Sequence, residues 1–524
     1  MITRDIRLPA ALLSQTGLVA AFGFAASAAV VSIFLAEKPV VMAVLGAIVF
    51  VLGLALAGNQ RLFCLWGLLL SAPLGLSKNF WIIEHMGGAS ALRLELSDLF
   101  IAPLLVFILR DFFLGHRRRL RFSAVAFWWG GLVLLGVLNI VVGPLRHLSA
   151  LEVVRMLQCF ALFFVIINEL VRVRQFLHAF AALTAGVALE AVIGIIQYIF
   201  KANLHLQVLG EAIPEATKSA SQSVYNISGS ANIFRISGLL GHPNLLSAYM
   251  ALLLPICLSL LLSRISTVSK CVVAGVATLG AIALVMTLSR SGWLSFGVAF
   301  LVLFGLSFLH PRLRSRYLLA RVAVIGLMGL GFMAFGGEIE KRITASDPGS
   351  VNFRLEFMDI AFNMIEEAPV LGFGLNTFVF DLPGRTRYGG PEGLTQSFGK
   401  FWPVVHNTYL IFWTEQGTIG FIFFIGLHLC VLWLAINNAR YFIGDDVMFT
   451  MNLGCVSGFI ALMVDGMSSF FIKMEGPARV FWIVVGLIVA INYWNKANRP
   501  PRRNTSDTNE PAGPDAALSD IPVK

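Results

Sequence analysis

Four side chains suited to holding and acting on an anion stand apart in largely apolar sequence: Arg235 in FRISGLLGHPN, Arg290 in TLSRSGW, Arg354 in NFRLEF and His406 at the head of HNTYLIFWTEQGTIG. A guanidinium stays charged at any working pH, and its planar fork matches two phosphate oxygens. A neutral imidazole, with an ordinary pKa of roughly 6.5, can take a proton from a hydroxyl near neutrality. Together they suit displacement of a diphosphate by a hydroxyl. Fixed arginines favour the leaving group most as its charge develops, and His406 is the candidate base. No metal is required where arginines neutralise the diphosphate. The sequence carries no Asp-x-Asp, HExxH or P-loop pattern, so neither a metal nor another cofactor is expected.

Each of these residues also has a structural reading. Arg290 can snorkel from a helix end, Arg354 can pair with acidic neighbours at the head groups, Arg235 can be an ordinary loop charge, and His406 can cap a helix. His242 and Asn244 flank Pro243, a residue that suits a first helical turn, and are read as organisers of that start. Asp465 lies near a span end, with Arg290 or an acceptor as candidate contacts. Glu190 and Glu415 fall within apolar runs, where an ionised carboxylate costs several kcal/mol unless paired or facing a cavity. On a straight helix, offsets of 4, 7, 11 and 14 return to one direction. His406, Leu410, Trp413, Gly417 and Gly420 then share a stripe, beside Asn407, and the two glycines let a neighbouring helix approach beneath the histidine. Glu415 points about 180° away.

The elements that must position these groups are set by composition. Of the 524 residues, 57% are hydrophobic and 13% charged, against about 25% charged in a soluble domain. The mean hydropathy is +0.80. The chain reads as an all-α polytopic membrane protein of about fourteen (12–14) transmembrane helices. Apolar runs place spans at 14–36, 39–58, 62–78, 97–115, 123–143, 151–170, 175–200, 243–263, 271–289, 291–309, 318–337, 406–436, 446–467 and 476–494, each near the 20 residues a bilayer requires. The N-terminus lacks a convincing cleavage site and is read as a retained first span. The net charge of +10 does not imply nucleic acid, because the cations cluster between apolar runs. HRRRLR (116–121), VRVR (171–174), SRISTVSK (263–270), HPRLRSR (310–316), NNAR (437–440) and NKANRPPRR (495–503) each follow an even-numbered span. All of them, with both termini, can therefore be cytoplasmic. The six cysteines show neither a disulfide framework nor zinc-ligand spacing.

This organisation divides the chain into N-terminal helices (1–200), a periplasmic loop (201–242), central helices (243–337), a large periplasmic loop (338–405), C-terminal helices (406–494) and a disordered cytoplasmic tail (495–524). In the large loop, Phe353, Phe357, Ile360 and Met364 fall on one helical face, with Glu356, Asp359, Asn363 and Glu367 opposite. Such a helix lies at the membrane surface. The glycine-marked turn VLGFGLNTF and a polar excursion lead on to His406. The four candidate groups then collect at the external side, where few cations are expected. A lipid-linked diphosphate explains them, since ATP and nucleotide sugars are absent there.

The residues also carry a family resemblance. HN, nine residues, then GTIG resembles the His-Asn…Gly-x-x-Gly signature of the O-antigen ligase and O-antigen polymerase family. RISGLLGHPNLLSAYMALLLP, TLSRSGWLSF and APVLGFGLNTF resemble that family's preceding blocks. The likeness covers roughly residues 230–440. It implies a bacterial inner-membrane glycosyltransferase of GT-C-like helical architecture with its active site facing the periplasm. The donor would be an undecaprenyl-diphosphate-linked glycan, and the acceptor a hydroxyl on lipid A core, on another glycan or on protein. A polymerase would imply a chain-length regulator as partner. The rival classes are a multi-span solute or ion transporter, which predicts an inverted repeat and midplane helix breaks, and a scaffold for polysaccharide assembly, which requires no aligned His and Arg set.

Overall fold

The computed structural model describes residues 50, 53–54, 57–83, 88–117, 119–143, 145–211, 224–227, 231–308, 336, 348–381, 404–441 and 446–498. The expected spans 14–36, 39–58 and 318–337 lie wholly or largely outside these residues, as do much of the first loop, the polar excursion before His406, and the tail.

The chain forms helices α1 (Gln60–Ser71), α2 (Leu96–Phe113), α3 (Ala124–Val142), α4 (Arg146–Glu169), α5 (Val173–Phe200), α6 (Pro243–Leu261), α7 (Thr267–Met286), α8 (Arg290–Ser307), α9 (Pro348–Glu367), α10 (Phe378–Asp381), α11 (Thr408–Tyr441), α12 (Asp446–Asp465) and α13 (Glu475–Ala497). Two short antiparallel hairpins interrupt them: β1 (Ser77–Phe80) pairs with β2 (Leu92–Glu95), and β3 (Val224–Ile227) with β4 (Ala231–Phe234). The protein is an all-α polytopic membrane protein. Among the described residues, nine helices, α3 to α8 and α11 to α13, are long and apolar enough to cross a bilayer.

The apolar run at 62–78 departs from expectation. The Asn59 side chain caps Leu62 N, and α1 then ends after 12 residues, about 18 Å at 1.5 Å per residue and too short to cross alone. The chain continues through Pro73 into β1.

Enclosure is greatest at α6, α12 and α13, where more than four-fifths of each apolar window is buried. The α6 sequence PNLLSAYMALLLPICLSLL is apolar on every side, so it packs against α7, α8 and α12 rather than facing lipid on one face. Gly454 and Gly458 of α12 allow that approach: a Cβ at Gly454 would come within 3.0 Å of Ile256 Cα, and one at Gly458 within 3.1 Å of Leu252 C.

A second cluster is built on α9. Its apolar residues Phe357, Ile360, Ala361, Met364 and Ile365 are buried with Phe378, Val404, Val405, Leu410 and Ile411, while Asp359, Asn363 and Glu367 are exposed. The expected amphipathic face therefore packs against the start of α11, and Phe353's side chain lies outside the described residues.

The straight stripe expected from His406 to Gly420 is overturned. His406 precedes α11, and Gly417 adopts φ 63°, ψ −170° inside it, a left-handed region open mainly to glycine. The segment 369–374 fills the break. Phe373 N donates to Thr414 O (3.0 Å), Gly374 N to Glu415 O (2.9 Å), and Thr418 N to Pro369 O (2.8 Å). These bonds satisfy the backbone groups that the break frees. Gly417 thus admits an irregular segment rather than a neighbouring helix: a Cβ there would strike the Val370 carbonyl and stand 2.6 Å from Gly372 N. Gly420 packs over the side chain of Gln416 in the same helix.

Candidate active site

The stretch RISGLLGHPN is a buried loop whose backbone is held by two polar side chains of α5. Gln197 Oε1 accepts from Ser237 N (3.2 Å) and Gly238 N (2.9 Å), and Glu190 Oε2 accepts from Leu239 N (2.9 Å). Gly238 turns with φ 58°, where a Cβ would meet Glu190. Glu190, read in the sequence as a costly intramembrane charge, therefore serves this loop. The loop fixes Arg235 between two helix ends. Its Nε donates to Thr287 O (2.7 Å) beyond α7, and its Nη2 to Asn244 Oδ1 (2.8 Å) in the first turn of α6.

His242 is the N-cap of α6, its Nδ1 accepting from Asn244 N (3.1 Å). His242 and Asn244 thus meet across the first turn of α6. Burial first, then the charges of Arg235 and His406, push the His242 pKa down to about 3. His242 and His406 are thus electrostatic neighbours, although 163 residues separate them in sequence.

His406 is half-buried at a bend in the short segment 404–407, where Asn407 N donates back to Val405 O (2.8 Å). The Val404 backbone lies beside the ring, and a neutral imidazole keeps one ring nitrogen as an acceptor. Phe470 meets the ring edge-on, with centroids 5.2 Å apart at 80°. Burial, followed by the charge of Arg354, lowers the His406 pKa to about 4. The helix cap itself is Asn407: its Oδ1 accepts from Leu410 N (3.1 Å), and its Nδ2 donates to Met467 O (3.2 Å). That assignment removes the main structural reading of His406.

Arg354, half-buried on α9, acts electrostatically on both His406 and Asp465. Asp465 ends α12, fully buried, and accepts from the Ser469 hydroxyl with Ser291 beside it. Arg290, the contact the sequence offers Asp465 besides an acceptor, is not among these partners, and Asp465 Oδ1 has no hydrogen-bond partner among the described residues. Arg290 is the exposed first residue of α8, next to Ser291. Arg235, His242, Asn244, His406, Arg354 and Asp465 are therefore gathered where α6, α8 and α11 begin and α12 ends. Arg290 lies at the same end on an exposed position, while Gly417 and Gly420 stand about two and a half and three turns into α11. Sequence reasoning missed Ser291, Ser469 and Phe470, which are ordinary residue types at no diagnostic spacing.

It also missed a second charged cluster. Lys473 Nζ donates to Glu415 Oε2 (2.6 Å) and Glu152 Oε1 (3.2 Å), and Arg155 pairs with Glu152 through its Nε (2.9 Å) and a second, shorter bond. All four side chains are buried. Arg155 also donates to Ile472 O (3.0 Å). Glu415 accordingly does not share the histidine's surroundings. The i,i+3 spacing of Glu152 and Arg155 inside an apolar run and the lone Lys473 in SSFFIKMEG were signals available in the sequence.

In the described residues, no group of His, Cys, Asp and Glu side chains is arranged to hold a metal ion. Residues 274–425 match the O-antigen ligase family model. The matched range contains Arg290, Arg354, His406, Asn407, Gly417 and Gly420, while Arg235, His242, Asn244 and Asp465 fall outside it. No curated protein matches the chain. The family match supports a membrane glycan ligase or polymerase type of function.

Proposed function

From an O-antigen ligase domain carried at residues 274–425, we propose that the protein transfers a glycan from an undecaprenyl-diphosphate-linked donor to an acceptor hydroxyl. The reaction takes place on the periplasmic side of the bacterial inner membrane and needs no metal. The observation that carries this reading is the convergence of Arg235 and Arg354 with His242 and His406 from three separated stretches of chain.

His406 is the base. Its acceptor nitrogen takes the proton of the incoming hydroxyl, the oxygen bonds to the anomeric carbon, and the bond to the diphosphate breaks with its electron pair passing to the leaving oxygen. A pKa of about 4 keeps the imidazole neutral at working pH, and a bound diphosphate raises its basicity as the anion enters. Arg354 neutralises the growing charge beside the histidine. Arg235, oriented by Thr287 O and Asn244, and Arg290, at the rim, hold the remaining phosphate oxygens. Asn407 fixes the height of His406, and Asp465 orders the serine side of the site. The acceptor is lipid A core for a ligase, or a growing glycan beside a chain-length regulator for a polymerase. The basic clusters support cytoplasmic termini and an external site.

A transporter remains the alternative because the helix break at Gly417 is a feature of that class. Proteoliposomes supplied with a polyprenyl-diphosphate-linked glycan and an acceptor separate the two: glycan-bearing acceptor is the expected result, and solute flux without transfer overturns the proposal. Cysteines at Ser228 and Gly390 should react with an impermeant thiol reagent outside intact spheroplasts. Labelling only after lysis would remove the external site.

A further inference from the structure

The helix bundle has a second concentration of arginine, at the opposite end from His406. A cavity of about 610 Å³ opens where α1 and α5 begin and α2 and α4 end, a size within the roughly 300–1,000 Å³ of small-ligand pockets. The candidate active site meets the other end of α5, where Gln197 holds Ser237 and Gly238. At 28 residues, α5 is about 42 Å long, so the two features face opposite sides of a bilayer.

Six arginines line the cavity, Arg61, Arg117, Arg119, Arg121, Arg172 and Arg174, against the two carboxylates Asp111 and Glu169. Three of the six are engaged by the protein. Arg61 pairs with Asp111 and with Glu169 (3.1 Å), Arg117 Nη1 donates to Asn168 Oδ1 (3.0 Å), and Arg121 Nη1 caps α4 at Ile167 O (3.1 Å) and Leu170 O (3.0 Å). These bonds build a firm wall. Arg119, Arg172 and Arg174 contribute exposed guanidinium groups to the same space. An excess of four positive charges around a cavity, half of them on a preorganised wall, is a receptor for phosphate oxygens. The source of the phosphate is indicated by Phe112, Phe113, Leu114 and Phe122, all exposed and adjoining the cavity residues in sequence. Apolar side chains beside a basic pocket at the end of membrane helices suit acyl chains leading to a charged head group.

We propose that this cavity binds the phosphate head group of an anionic phospholipid drawn from the leaflet on that side. Arg117, Arg119, Arg121, Arg172 and Arg174 thereby serve as a lipid receptor in addition to orienting the chain. The site is independent of glycan transfer.

Native mass spectrometry of the full-length protein, released from detergent micelles with added phosphatidylglycerol, phosphatidylcholine or inorganic pyrophosphate, tests the proposal. The expected result is one retained phosphatidylglycerol in preference to phosphatidylcholine. Its apparent affinity should fall at least about tenfold when Arg119→Gln, Arg172→Gln and Arg174→Gln are combined. Should the triple variant not fold, Arg174→Gln alone is expected to give the same loss at smaller size. Equal binding of the two lipids, undiminished phosphatidylglycerol binding in the variants, or retention of pyrophosphate without lipid preference overturns the assignment, the last by marking a site for a soluble phosphate.

Discussion

Two groups of buried or half-buried charge lie near the same end of the bundle, and they are built on opposite plans. In the Glu152, Arg155, Lys473 and Glu415 cluster, two cations meet two carboxylates at hydrogen-bond distance, and the charges close on one another. Around His406, two arginines converge with two histidines whose protonation they disfavour, and two buried carboxylates at that end, Asp465 and Glu190, accept from a serine hydroxyl and from Leu239 N. The first arrangement closes on itself through ion pairs and clamps α4, α11 and the turn before α13 together. On the proposed function, the second receives the diphosphate.

The largest effect should come from unbalancing the clamp. Lys473→Met leaves Glu415 and Glu152 buried beside a single arginine, a loss of about 3–5 kcal/mol. It should show as a lower unfolding temperature and a lower yield in detergent, with partial recovery on adding Glu415→Gln. A variant that unfolds normally yet loses transfer would place the clamp in the reaction and erase the contrast.

Gly417→Leu comes next. It forces a side chain into a left-handed backbone position facing the Val370 carbonyl, at about 1–3 kcal/mol for the backbone alone. Thermal unfolding should register it, and the displaced 369–374 segment should become sensitive to protease.

Arg354→Ala should leave unfolding unchanged while transfer falls at least about tenfold, the value of one lost charged hydrogen bond at 1.5–3 kcal/mol. Arg354→Lys should recover little, because an ammonium lacks the planar fork. Loss of stability without loss of turnover would turn Arg354 into a second clamp.

The smallest effect concerns pH. A base with a pKa lowered to about 4 stays neutral well below the ordinary histidine range, and kcat/KM reports the free protein. Transfer measured as kcat/KM should hold level from pH 7 to about 5 and fall only near the lowered value. A fall centred near 6.5 would mean that neither burial nor Arg354 reaches the ring.

The sequence disclosed nine of the apolar helices and the amphipathic face of α9, because apolar runs and their periodicity are local patterns. It did not disclose the break at Gly417. A glycine within an apolar helix gives the same signal whether it packs against a helix or turns through φ 63°, and only the docking of 369–374 decides between them. Nor did it place Phe470 and Ser291, which meet His406 and Asp465 across long sequence separations, or Ser469, which bonds Asp465 one turn away. The 12-residue α1 was hidden for a related reason: the apolar link APLGL (72–76) between the helix and β1 extends the hydropathy of the helix past its true end.

His406→Ala in proteoliposomes charged with a polyprenyl-diphosphate-linked glycan addresses the central claim most directly. The account predicts that turnover falls by about 10²–10⁴, that donor binding and unfolding temperature stay near those of the unaltered protein, and that the residual activity shows no inflection near pH 4. Near-normal turnover with an unchanged pH profile would contradict it and leave the arginines without a base to serve.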